Sequence, residues 1–168
     1  MKQIQKQWLA SVPWQTVLSI NLALCQAQKT EHKPSAKGYV AAQQAWVAAM
    51  PKQMTLPEVL EVCKKCYNLA PFVFNNGNTF AAIAKTLIED SLKAIPPVEA
   101  QIIRATVAHY VAGLVGKREL LKILAHFEPV LKAAAPATAP VPPVVAAQPQ
   151  KPANQGATPP IQSAQPSH

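Results

Sequence analysis

Cys63-Lys64-Lys65-Cys66 is the motif in this 168-residue chain whose residue types and spacing come nearest to chemistry. On a helix, residues three apart share a face, so the two sulfurs could meet one metal ion or, near a helix N-terminus, each other. The intervening lysines favour thiolate over thiol. The surroundings narrow these readings. A thioredoxin-like site expects a βαβ context that the chain does not offer. Covalent haem attachment requires a histidine after the second cysteine, where this chain has Tyr67. A structural zinc site needs four ligands, and Cys25, His32, His109 and His126 are scattered. Cys63 and Cys66 therefore read first as small helix-packing residues, with a disulfide, a thiol-redox pair or a metal site as alternatives.

The other chemistry-bearing residues form weaker patterns. Glu89-Asp90 falls opposite an apolar helix face and reads as its solvated side. His109 and Tyr110 are neighbours, so on a helix they point about 100° apart and make no acid–base pair by themselves. Glu58 and Glu61 suit a helix N-terminus, and His126 suits a C-terminal dipole. Phosphate loops, nucleophile elbows, HExxH and calcium loops are missing from the sequence, and its five glycines leave little material for a phosphate cradle. The expectation is a protein without catalytic residues, resident metal or cofactor. The apolar run Phe72, Val73 and Phe74, in a short connection before an Asn-rich turn, supplies the candidate contacts for a protein partner. Its competing reading is a plug in the core between helices.

Charge supports a similar conclusion. Sixteen Lys and Arg face eight Asp and Glu, a formal charge of +8. Lys2, Lys6, Lys29, Lys33 and Lys37 are opposed only by Glu31, so the N-terminal part holds much of the excess. Nucleic-acid surfaces favour denser clusters, with arginines for bidentate contacts or aromatics for stacking. Here the only arginines are Arg104 and Arg118, and a protein partner is the better expectation.

The elements that must position these residues are helices. Phe80, Ile83, Ala84, Leu87, Ile88, Leu92 and Ile95 make one face at i, i+3, i+4 spacing, with Asn78 or Thr79 as the expected N-cap. Pro96-Pro97 ends that helix and starts another, striped by Ile102, Ile103, Thr106, Val107, Tyr110 and Leu114. Leu120, Leu121, Ile123, Leu124, Phe127 and Leu131 give a further helix, expected to bend or end near Pro129. Val59, Leu60, Cys63, Tyr67 and Ala70 form a stripe after Pro57, and 38–50 adds an earlier helix. Period-2 alternation is missing throughout. A shift of 43 residues superposes Val59-Leu60, Cys63 and Cys66-Tyr67 on Ile102-Ile103, Thr106 and His109-Tyr110. The fold expected is all-α: a bundle or short stack of three antiparallel helical hairpins over 13–50, 57–95 and 97–132.

Two ends frame that domain. From residue 133 to 168 the chain is Pro-, Ala- and Gln-rich without an aromatic, and is expected to be a disordered tail. Its Pro140-Val141-Pro142-Pro143 and Pro149-Gln150-Lys151-Pro152 meet the minimal PxxP spacing but read first as a spacer. At the other end, residues 1–12 are a basic segment, and two readings compete for 1–27. Lys2 and Lys6 before an apolar run, closed by Cys25-Gln26-Ala27, have the order of a signal peptide cleaved near Ala27. Removing it would take Cys25 away and leave Cys63 and Cys66 as a natural disulfide pair in an exported or periplasmic protein. Pro13, Gln15 and Asn21 interrupt that run, and a core helix over the same residues leaves a cytoplasmic protein. No other run is long and apolar enough to span a membrane. The leading function is a non-catalytic interaction or scaffold protein.

Overall fold

The computed structural model describes residues 5–93 and 95–133. Among these are six helices and no strand: α1 Trp14–Ala27, α2 Tyr39–Ala49, α3 Leu56–Leu69, α4 Asn76–Leu92, α5 Pro97–Val111 and α6 Lys117–Ala133. The all-α reading of the periodicity holds. The Pro- and Ala-rich stretch lies outside the described residues from 134 onward, as do residues 1–4.

Local chemistry accounts for most helix limits. Pro13, with its preset φ, precedes the first turn of α1. Thr55 and Glu58 open α3: the Glu58 carboxylate accepts from the Thr55 amide at 2.7 Å and from its hydroxyl at 2.8 Å. Both bonds favour the ionised acid and hold the Glu58 carboxyl below its usual range. Pro97 is the first residue of α5, and Gly113 leaves that helix at φ +78°, a conformation that needs glycine. Two limits differ from the sequence reading. The helix expected to be capped by Asn78 or Thr79 begins earlier, because Asn75 turns left-handed (φ 63°) and its carbonyl already accepts from the Thr79 amide at 2.9 Å. Pro129 does not end α6, which continues to Ala133. Proline removes one intrahelical donor, and the Ala125 residue left without it is exposed, where its carbonyl can turn to water.

Helices α3 and α4 carry the packing. Helix α3 lies against α2, α4 and α5, α4 also against α1 and α5, and α6 against α5. The packing of α1 is mainly on α4 and only slightly on α2. One apolar core runs through all six helices. Its aromatic part gathers Trp14, Tyr39, Trp46, Phe72 and Phe80. Each tryptophan indole also finds an acceptor: Trp8 on the Met54 carbonyl at 2.7 Å, Trp46 on the Val12 carbonyl at 2.8 Å and Trp14 on the Tyr39 hydroxyl at 3.2 Å.

The segment before α1 belongs to this core. Lys6 and Met54 exchange antiparallel backbone bonds at 3.1 and 3.0 Å, and the Lys6 ammonium lies 3.8 Å from the centre of the Trp8 ring. Trp8, Leu9 and Val12 are buried, as are Trp14, Val17, Asn21 and Cys25 of α1. Residues 6–25 thus furnish one wall of the fold.

Candidate functional site

Cys63 and Cys66 both point inward from α3 and are fully buried. The Cys66 thiol donates to the Ala42 carbonyl of α2 at 3.7 Å. Burial dominates their acidity. It raises Cys63 far above the ordinary thiol range, helped by neighbouring Cys66, and pushes Cys66 up to about 12 against a small opposing effect of Lys65. The lysines between the two cysteines therefore do not produce thiolates at neutral pH. The Lys64 ammonium sits 4.3 Å over the Tyr110 ring, and Lys65 is exposed. All three cysteines are free thiols. Among the described residues, no three His, Cys, Asp or Glu side chains gather as a metal-holding group.

Glu61, Glu89 and Asp90 form ion pairs between or along helices. Glu89 accepts two bonds from Arg104, joining α4 to α5, while Asp90 pairs with Lys93 at 2.7 Å. Glu61 pairs with Lys117 at 2.8 Å and takes the Tyr110 hydroxyl, tying α3 to α5 and α6. The Lys117 bond, then the Tyr110 bond, holds the Glu61 carboxyl low, whereas burial followed by Glu61 raises the Tyr110 phenol. His109 and His126 are exposed.

The run 72–74 divides. Phe72 is in the core (2 % exposed), stacked on Trp14 at 6.3 Å and near the rings of His32 and Tyr39. Val73 and Phe74 are 49 % and 44 % exposed. Their exposure does not come from a loose chain, because the backbone is held on both sides. The Val73 amide donates to the Lys33 carbonyl at 3.0 Å, and the Ser35 amide to the Pro71 carbonyl at 2.8 Å, so 33–35 and 71–73 lie antiparallel. The Asn76 side chain spans the Phe72 backbone, accepting from its N–H at 2.9 Å and donating to its C=O at 2.6 Å. The Phe74 carbonyl accepts from Asn21 at 3.0 Å. Asn75 and Ala70 hold left-handed backbone on either side of the run. Gly38 abuts its start, where an added Cβ would lie 1.7 Å from the Leu69 carbonyl oxygen.

Under this run lies a polar cluster that the sequence reading missed. Asn21 is fully buried, and its amide nitrogen donates to the Phe74 carbonyl and, at 2.9 Å, to the Thr79 hydroxyl. Its oxygen then serves as acceptor for the Cys25 thiol at 3.6 Å and for Nδ1 of His32 at 2.8 Å. With both amide hydrogens committed, the hydrogen of this bond belongs to the His32 Nδ1. Asn75 closes the cluster, donating to the Cys25 sulfur at 3.4 Å and the Thr30 hydroxyl at 3.3 Å. Among the described residues no buried side-chain nitrogen or oxygen lacks a partner. The available sequence signal was the spacing Trp14, Val17, Asn21, Cys25, which places an asparagine on the inward face of its helix.

This arrangement can hold an apolar surface in place. No family model, curated protein or solved structure matches the chain. None of the helices among the described residues is long and apolar enough to cross a membrane.

Proposed function

We propose that this protein is a non-catalytic helical interaction or scaffold protein whose contact surface is centred on Val73 and Phe74. The observation that carries the reading is the half-exposed apolar pair on a backbone fixed by Lys33, Asn21 and Asn76. Apolar side chains held rigidly at a surface lose little entropy on docking, so burial against a partner is favoured. Phe72 belongs to the core, and the contact residues of the original run reduce to its second and third members. Cys63 and Cys66 fit a packing role, since burial keeps both as neutral thiols. The scaffold would be built of helical hairpins. The packing of α3 on α4 and of α5 on α6 supports this, while α1 departs from it by leaning on α4. We place the protein in the cytoplasm with residues 1–27 retained, a reading supported by the core side chains that segment supplies.

The test is site-specific photo-crosslinking in the native cell. A benzophenone side chain at position 74 should join the chain to one defined protein, and the same probe at exposed Leu114 should not. Equal labelling at both positions, or labelling of no protein at position 74, would sink the reading.

A further inference from the structure

The exposed pair is bordered by lysines, and their positions follow from contacts already described. Lys33 gives its carbonyl to the Val73 amide. Lys29 precedes Thr30, whose hydroxyl accepts from Asn75. Lys37 precedes Gly38, which lies against the Leu69 and Ala70 carbonyls. The loop from 28 to 38 therefore runs alongside 69–75 and sets one exposed lysine near each end and one beside the middle. Lys29 is further fixed by its left-handed backbone (φ 55°), and its amide donates to the Gln26 carbonyl at 3.2 Å. Among the described residues none of these three lysines is in an ion pair, and Glu31 is the only carboxylate on either segment. Residues 69–78 carry no charge.

We propose that the strip formed by Val73, Phe74 and the bordering Lys29, Lys33 and Lys37 binds an acidic protein segment that also carries an apolar side chain. The inference rests on the interaction reading above and adds the chemistry of the partner. Three unpaired ammonium groups on one edge of an apolar contact select carboxylates through charge complementarity and disfavour basic partners. The lysines contribute most to encounter rate and selection, and the apolar pair to residence time. A membrane surface is a poorer fit, since two half-exposed side chains offer little apolar area for insertion. Nucleic acid is also a poorer fit, because no arginine lies on either segment and Phe74 is the only exposed aromatic ring there.

The experiment is a titration of the isotopically labelled full chain, followed by amide chemical shifts. The probes are a twelve-residue peptide with glutamates alternating with leucine and phenylalanine, and its counterpart with every glutamate replaced by glutamine. Shifts confined to 28–38 and 69–75 are expected with the acidic peptide. The glutamine counterpart and the Lys29→Gln/Lys33→Gln/Lys37→Gln variant should each bind about tenfold more weakly, and Phe74→Ser about fivefold more weakly. Equal binding of the two peptides overturns the acidic partner and leaves the apolar contact surface standing. Failure of both peptides also overturns this inference, with the crosslinking at position 74 judging the broader reading by itself. Tighter binding through the same residues to phosphatidylserine vesicles or to a twelve-nucleotide oligothymidine would overturn both.

Discussion

Replacing Asn21 with alanine should unfasten the contact surface from beneath. Two of its bonds are well formed and made to the interior, to the Phe74 carbonyl at 3.0 Å and the Thr79 hydroxyl at 2.9 Å. The third strong one joins it to His32 at 2.8 Å, and the thiol bond from Cys25 at 3.6 Å is weak. A net hydrogen bond is worth about 1 kcal/mol, and a buried group left unpaired costs about 1–3 kcal/mol. Thr79 keeps its bond to the Asn75 carbonyl, and half-buried His32 can turn to water, so Phe74 bears most of the loss. Together with the void left in a fully buried position, the expected destabilisation is about 3 kcal/mol. Urea denaturation measures it, and hydrogen exchange locates it: the Val73 amide should exchange faster, by more than the global change in stability requires. A loss below about 1 kcal/mol with unchanged Val73 protection would refute the claim that this cluster holds the apolar pair in place.

Further outcomes follow from other parts of the fold. Gly38→Ala places a carbon where the Leu69 carbonyl oxygen already sits, so the 33–38 loop must move; a loss of about 3 kcal/mol is expected in thermal or urea denaturation. Cys63 and Cys66 are neutral in the folded state and ionise on unfolding, so their contribution is complete below the ordinary thiol range near 8.5 and declines as pH rises through it. The decline should reach about 1.4 kcal/mol per thiol for each pH unit above ~9, and Cys63→Ala/Cys66→Ala should flatten that slope relative to the parent chain. Deleting residues 1–27 removes two of the three tryptophans and, among the described residues, seven buried side chains, which should abolish cooperative thermal unfolding followed by near-ultraviolet circular dichroism. A cooperative transition in that truncated chain would count against the core role of α1.

The helices were legible because each carries an apolar stripe of period 3.6 bounded by proline, glycine or asparagine. The stripe residues Phe80, Ile83, Ala84, Leu87, Ile88 and Leu92 are all buried in α4. Helix partners were less legible. Stripes at Val17, Leu60 and Ile103 look alike in the chain, and each is indeed buried, yet α1 turns its stripe mainly to α4. Periodicity says which side of a helix is inward and leaves the neighbour open. The same limit explains Phe72, Val73 and Phe74, where a non-helical connection has no period to sort inward from outward side chains. The thiols were misjudged electrically, since adjacency to Lys64 and Lys65 in sequence says nothing of burial, and burial outweighs the Lys65 charge at Cys66. Asn21 was visible as a polar interruption, while its partners at 74, 79 and 32 depend on tertiary packing.

The pairing of α1 with α4 also sets a timetable for synthesis. Asn21 must wait for Thr79, 58 residues later, and the Trp8 indole must wait for Met54, 46 residues later. At a translation rate of about 5–20 residues per second, the first wait lasts roughly 3–12 s. Throughout that interval Trp14, Val17 and Cys25 have no completed wall to face, and α1 is a short apolar helix without its lid. On the ribosome, this is the stretch of the domain that a chaperone would meet bare, and its release is timed by the emergence of the Asn-rich turn.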